Sequence, residues 1–309
     1  VFDVQSFKAK LRLPAIAAPM FLVSGPDLVI ATCKSGMVGS FPAPNARDVS
    51  ILDDWMSQIS SALDGDEDAA PWALNMVVHS SYDRLDDELA LVSKYKPGVV
   101  ITALGGPQRV IPAVHDYGGA VFADVNSLAF AKKAAAAGAD GLVLVSSGAG
   151  GHTGEMSGFA FVDAVRQFFD GPIVLAGSIA TGRAVRAAEI LGADLAYVGT
   201  QFIAAAESIA DPAYKEMLVS ATIEDIQRSD AITGVPANWL KPSLKAAGID
   251  LDQLKAASKG PNFKDAGNPA KAWKHVWSAG HGVGQIDAIR PAADIIDQLA
   301  REYDHAKTL

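Results

Sequence analysis

The chain has 309 residues, 50% of them hydrophobic and 20% charged, enough to bury the core of one large α/β domain. Its net charge of −9 argues against a nucleic-acid or anionic-membrane surface, which needs a basic patch. The single cysteine, Cys33, leaves no internal disulfide and no cysteine-rich metal site, and it falls in a helical pattern where a small core residue is expected.

Short apolar runs alternate with helical patterns along most of the chain. The expected strands are 15–18, 37–40, 72–78, 99–104, 120–125, 141–145, 173–176 and 195–198. They are apolar on both faces, as parallel strands covered on both sides should be. Between them, 127–137 and 182–191 read as helices, stopped by Gly138 and Gly192. Ala-Gly-Ala-Asp at 137–140 and Leu-Gly-Ala-Asp at 191–194 read as one tight helix-to-strand turn used twice. Eight strands in this rhythm predict an α/β fold, a (β/α)8 TIM barrel. After the eighth strand the rhythm changes. Residues 205–275 carry helical patterns at 211–221, 223–228 and 242–254, a polar loop at 255–271, several prolines and no convincing strand. The expected organisation is therefore a barrel of 1–204 and 276–309, with 205–275 a helical insertion covering the active site. No run of 18 apolar residues suggests a membrane span. Residues 1–13 lack a positive-then-apolar signal pattern, so the expected location is cytoplasmic.

The chemistry concentrates where strands end. The sixth strand opens into Ser-Ser-Gly-Ala-Gly-Gly-His-Thr-Gly at 146–154, bare backbone that can approach a flat or phosphorylated ligand, with His152 able to move a proton near neutral pH. The seventh strand runs into Gly177-Ser178 and the eighth into Gly199-Thr200. Both offer free N–H groups and a hydroxyl, as a phosphate requires. Barrel phosphate sites sit there. No Gly-x-Gly-x-x-Gly follows the first strand, so a Rossmann dinucleotide site is not expected. The histidine spacings point to no metal.

Ala-Pro-Met at 18–20, Gly-Ala-Gly-Gly-His-Thr-Gly at 148–154, Leu-Ala-Gly-Ser-Ile-Ala-Thr-Gly at 175–182 and Gly-Thr-Gln-Phe at 199–202 resemble the nitronate monooxygenase (2-nitropropane dioxygenase) family. The related flavin-dependent enoyl-acyl-carrier-protein reductase shares these strings. The resemblance implies an FMN-binding barrel oxidoreductase acting on a small molecule, with O2 or NAD(P)H as co-substrate. By similarity, Ala18, Pro19 and Met20 carry backbone against the flavin ring. Asn75 bonds its polar edge, and Ala149, Gly150 and Gly151 line it. Gly177, Ser178, Gly199 and Thr200 hold the phosphate, and His152 is the catalytic histidine.

The chain departs from the family at four places. Gly148 stands where nitronate monooxygenases usually carry glutamate. Asp124 takes the place of a lysine that helps hold the flavin in some members. Ser178 replaces the second glycine of the usual Gly-Gly-Ile, and His281 stands where an amide is common. This marks a divergent member. His79, Asp124, His281 and Trp239 are candidates for the substrate pocket, Trp239 either as an apolar lid or as packing for the insertion. Two other functions stay open: an NAD(P)H-dependent FMN reductase of an enoyl thioester or quinone, and a non-catalytic flavin or phosphate-ligand binder.

Overall fold

The computed structural model describes residues 2–256 and 276–309. Most of the loop expected at 255–271, and His275, lie outside the described residues. Eleven strands occur among them: β1 (Ala15–Ala17), β2 (Ser40–Pro42), β3 (Ala73–Val77), β4 (Val99–Ala103), β5 (Ala120–Val125), β6 (Gly141–Val145), β7 (Gly151–His152), β8 (Ile173–Ala176), β9 (Leu195–Val198), β10 (Ile226–Ser229) and β11 (Ala237–Leu240). Eight form one parallel sheet in the order β1-β9-β8-β6-β5-β4-β3-β2. A parallel bridge between Ile16 and Val38 closes it into a barrel, with the Ala17 N–H on the Val38 carbonyl at 2.8 Å and the Val38 N–H on the Ala15 carbonyl at 3.2 Å. The second strand differs from the expected 37–40 for that reason. Val38 serves β1, and pairing with β3 begins only at Ser40.

Alternate residues of the strands fill the barrel with one cluster that includes Ile16, Ala73, Ile101, Phe122, Val143, Val174 and Tyr197. One end is plugged: Phe2 and Phe7 pack into this cluster, and the Phe2 ring meets Phe122 edge-on at 5.7 Å. Helices cover the outside. The C-terminal helix Ala292–Ala306 lays Ile295, Ile296, Leu299 and Tyr303 against Leu13, Val185 and Val198.

The two near-repeats share one structural task. Asp140 Oδ2 accepts from the Val121 N–H and Asp194 Oδ2 from the Ile173 N–H, each at 2.8 Å. Each aspartate thus satisfies one amide at the start of β5 or β8, at the barrel end opposite the glycine-rich loops. His115 belongs to that end, with its Nε2 2.8 Å from Asp140 Oδ2.

Past β9, pairing overrides the helical reading. The helix expected at 223–228 is a single 3-10 turn, Ile223–Asp225, followed by β10. β10 pairs antiparallel with β11, and β11 with β7, which gives a three-stranded sheet where no strand was expected. The helix expected at 242–254 is two, Lys241–Ala246 and Leu251–Ala256, separated at Gly248. No described helix is long and apolar enough to cross a membrane.

Candidate active site

The glycine-rich loops gather at the C-terminal ends of the barrel strands, where barrel enzymes bind their ligands. In β4 and β6 the burial ends with the last residue, leaving Ala103 and Val145 half-buried at this mouth; Val77 does the same in β3. Around the rim, Phe21, Leu22 and Leu104 are exposed. Leu22 and Leu104 both hold φ at +59°, a left-handed conformation that costs a bulky residue roughly 1–2 kcal/mol.

The Ala18-Pro19-Met20 loop is held in shape by a residue outside every motif. Buried Asn45 donates from Nδ2 to the Met20 carbonyl at 2.9 Å and the Ser24 carbonyl at 2.8 Å, while its Oδ1 accepts from the Leu22 N–H at 2.9 Å. One side chain therefore satisfies three backbone groups of the loop.

Just below the mouth, three inward-facing residues bring polar groups into an otherwise apolar barrel. Asn75 lies two positions beyond Ala73 on β3, Asp124 two beyond Phe122 on β5, and Tyr197 two beyond Leu195 on β9. Asn75 Nδ2 donates to the Ile101 carbonyl at 3.3 Å and reaches Asp124 Oδ2 at 3.5 Å. Asp124 Oδ1 and the Tyr197 hydroxyl are buried without a hydrogen-bond partner. Part of the Asp124 residue still reaches the mouth, although Oδ1 does not. Burial pushes the Asp124 carboxyl up to about 7. Burial, with the Asp124 charge, drives the Tyr197 phenol well above 10.

The strand-six loop is fastened on both sides. Ser146 Oγ donates to the Ala176 carbonyl of β8 at 2.6 Å, and Thr153 Oγ1 to the Ser146 carbonyl at 3.3 Å. Gly151 and His152 form β7, paired with Asn238 and Ala237 of β11. Asn238 Nδ2 donates to the Ala149 carbonyl at 2.7 Å. The His152 residue reaches the surface, yet desolvation holds its pKa below the usual 6.5, so the imidazole is neutral at pH 7.

The turns after β6, β8 and β9 meet in one corner. The Gly148 carbonyl accepts from the Ser178 N–H at 3.3 Å and the His281 N–H at 3.0 Å, and Thr200 Oγ1 accepts from the Gly280 N–H at 2.9 Å. Gly148 has φ +84°, and Ser178 Oγ fills the space where its Cβ would stand. Ser178 itself sits at φ +59°, a conformation suited to the glycine it replaces.

His281, expected in the substrate pocket, stands in this corner beside Gly148. His79 lies beyond β3, exposed, with its Nδ1 2.7 Å from Ser81 Oγ. Trp239 corrects the lid alternative. It is fully buried among Ala237, Leu244, Leu254 and Val276, and its Nε1 donates to the Ser229 carbonyl at 3.2 Å. It packs the extension because its ring completes that small core. A cavity of about 390 Å³ lies behind the strand-six loop, lined by Gly148, Thr153, Arg228, Asn238 and His281 among others. Cys33 is fully buried, with its thiol pushed up to about 12 by burial, so it is no nucleophile.

Sequence reasoning missed Asn45, Tyr197, Asn238 and the strand β7. Tyr197 carried a signal: it is the polar-tipped residue in an apolar run, on the inward parity of β9. Asn45 and Asn238 carried none, because each acts on a loop far away in sequence.

An eight-stranded barrel with a polar cluster and glycine-rich turns at its C-terminal mouth defines an enzyme that works on a ligand held at that end. Residues 54–302 match the family model described as nitronate monooxygenase, and the chain belongs to that family. It is therefore an oxidoreductase of a flavin-dependent family that acts on small molecules. A nitronate monooxygenase of Paraburkholderia phytofirmans is 28% identical, over 94% of this chain and 92% of that protein. The structure of FabK from Thermotoga maritima superposes with a TM-score of 0.82 at 25% identity, covering 99% of this chain and 96% of that one. A nitroalkane oxidase from Streptomyces ansochromogenes shares the fold with a TM-score of 0.82 at 24% identity, covering 98% and 99% of the two chains.

Proposed function

We propose that the chain binds FMN at this mouth and oxidises a nitronate or similar carbanion with O2. The observation that supports it most is the convergence at one barrel end of an apolar rim, buried polar atoms lacking partners, and three glycine-rich turns. These residues fit a flavin. The rim suits a planar ring, Asn75 and the Asp124 carboxyl just below the mouth suit its polar edge, and the 177–178 and 199–200 turns suit its phosphate.

In this reading Pro19 and Met20 present backbone to one side of the ring, held there by Asn45. Ala149, Gly150 and Gly151 line it. The N–H groups of Gly177, Gly199 and Thr200 and the Ser178 hydroxyl hold the phosphate, and His281 closes that corner. When bound, FMN supplies the electron acceptance and the reaction with O2. His152, neutral at pH 7, takes the proton from the carbon beside the nitro group of a neutral nitroalkane, or donates a hydrogen bond to a nitronate. Asp124 stands at the polar edge, and His79 lies further out along the rim. The segment carrying β10 and β11 flanks the strand-six loop through the pairing of β11 with β7.

A second reading has its own observation. Gly148 leaves the loop without the glutamate usual in nitronate oxidation, which fits a hydride relay from NAD(P)H to an enoyl thioester or quinone. Anaerobic mixing of the FMN-loaded protein with an alkyl nitronate separates the two. Bleaching of the flavin by nitronate supports the first reading. Bleaching by NAD(P)H alone overturns it.

A further inference from the structure

The Asn75–Asp124–Tyr197 cluster has more polar capacity than the protein uses. In the barrel interior, Asp124 keeps one carboxylate oxygen, and Tyr197 its hydroxyl, buried with no partner. Such atoms are costly unless something satisfies them. Among the described residues, the Asp124 carboxyl has one hydrogen-bond partner, the Asn75 amide at 3.5 Å, which also serves the Ile101 carbonyl at 3.3 Å. The neighbouring inward positions at this level, Ala103, Val145 and Ala176, bring no charge, and the titratable group that faces Asp124 across the barrel is Tyr197. The other titratable groups around this mouth include His152 on the loop after β6, His79 beyond β3 and His281 beside Gly148.

Resting on the FMN reading above, the geometry points to Asp124 as a proton site coupled to the flavin: its carboxylate takes up a proton when the bound flavin is reduced. Two electrons and one proton turn an oxidised flavin into a reduced flavin bearing one negative charge. A carboxylate beneath it in a medium of low dielectric constant is repelled by that charge and becomes a stronger base. The balanced step is oxidised flavin plus Asp124 carboxylate plus two electrons plus two protons, giving singly protonated anionic reduced flavin plus the Asp124 carboxylic acid. The electrons come from the nitronate in turnover, and from dithionite in the test below. Where a lysine would neutralise the reduced flavin with a fixed charge, Asp124 instead removes its own charge. Its starting point suits the task, since burial already places the carboxyl at about 7. Asp124 is a positioning residue here, acting through the flavin's charge and not on the substrate.

The test is the midpoint potential of the FMN-loaded protein between pH 5.5 and 9, measured anaerobically against redox dyes for wild type and Asp124→Asn. Wild type is expected to take up two protons per two electrons in a window opening near pH 7 and extending upward, and one proton outside it. In that window the potential falls twice as steeply with pH. Asp124→Asn is expected to follow the one-proton slope throughout. A two-proton window that survives in Asp124→Asn puts the proton on the ring or on a histidine of the mouth and overturns the proposal. So do identical curves from two loaded proteins, which leave the FMN reading standing. Failure of the wild type to bind FMN overturns both. A variant that does not load still leaves a measurement on wild type alone. Its redox-difference infrared spectrum is expected to gain a carboxylic C=O band on reduction, shifted by 13C-aspartate labelling, and absence of that band overturns the proposal.

Discussion

Ser178 Oγ fills the space that a Cβ on Gly148 would need, so two departures from the family pattern are one coupled exchange. A glycine replaces the usual glutamate in the strand-six loop, and a serine replaces the usual glycine in the turn facing it. Gly148→Ala is expected to cost roughly 1–2 kcal/mol, from its φ of +84° and from the displaced serine. Ser178→Gly is expected to gain about 1 kcal/mol by relieving a φ of +59°. The pair should be non-additive, with Ser178→Gly recovering part of the Gly148→Ala loss. Urea denaturation of the four proteins in the cycle measures this, and strictly additive values would uncouple the two positions.

Asp124 makes a prediction that needs no flavin. Its folded pKa of about 7 lies above the ordinary 3.8, so the folded state prefers the protonated form. Its destabilising effect is absent below pH 3.8, grows as pH rises, and is complete above pH 7. The shift sets an upper bound of about 4 kcal/mol. Asp124→Asn apoprotein should therefore gain more stability over wild type at pH 8 than at pH 5. Equal gains in urea melts at the two pH values would mean that Asp124 titrates normally.

Asn45 carries three hydrogen bonds to the 20–24 loop. Asn45→Ala leaves a buried N–H and two carbonyls unsatisfied and is expected to cost about 2–3 kcal/mol. It should also weaken FMN binding, because the loop that meets the ring loses its fixed shape. Thermal melts and fluorescence titration with FMN check the two parts. Unchanged flavin affinity would detach that loop from the cofactor.

His152 governs proton removal in the proposed reaction. Its pKa lies below 6.5, so the base form persists to lower pH than in a free histidine. The rate with a neutral nitroalkane should fall as pH drops through that lowered value. His152→Ala should lower kcat/KM by about 10²–10⁴-fold while still binding FMN. A steady-state pH profile on both proteins shows it. Undiminished turnover in the variant would remove His152 from the mechanism.

The barrel was legible because parallel strands buried on both faces leave continuous apolar runs, and because Gly138 and Gly192 punctuate the helices between them. The aspartates of the two near-repeats were legible as turns; that they also hold β5 and β8 was not, since those contacts reach back across 19 and 21 residues. The sheet of β7, β10 and β11 was illegible for a related reason. Gly151 and His152 have no strand periodicity and become a strand only because β11 arrives beside them. At the site, glycines announced the loops, while the groups that fix those loops, Asn45 and Asn238, looked like ordinary surface amides. Trp239 shows the converse: a conspicuous aromatic beside the candidate site turned out to fill the extension's own core.

The central claim is flavin chemistry on a carbanion at this mouth. Its most direct test is the visible spectrum of the FMN-loaded protein during anaerobic titration with an alkyl nitronate, followed by admission of O2. The account predicts one equivalent of tightly bound FMN, bleached by nitronate and restored by O2. A protein that binds no FMN when it is added back, or whose bound FMN ignores nitronate and is bleached by NAD(P)H, would contradict it.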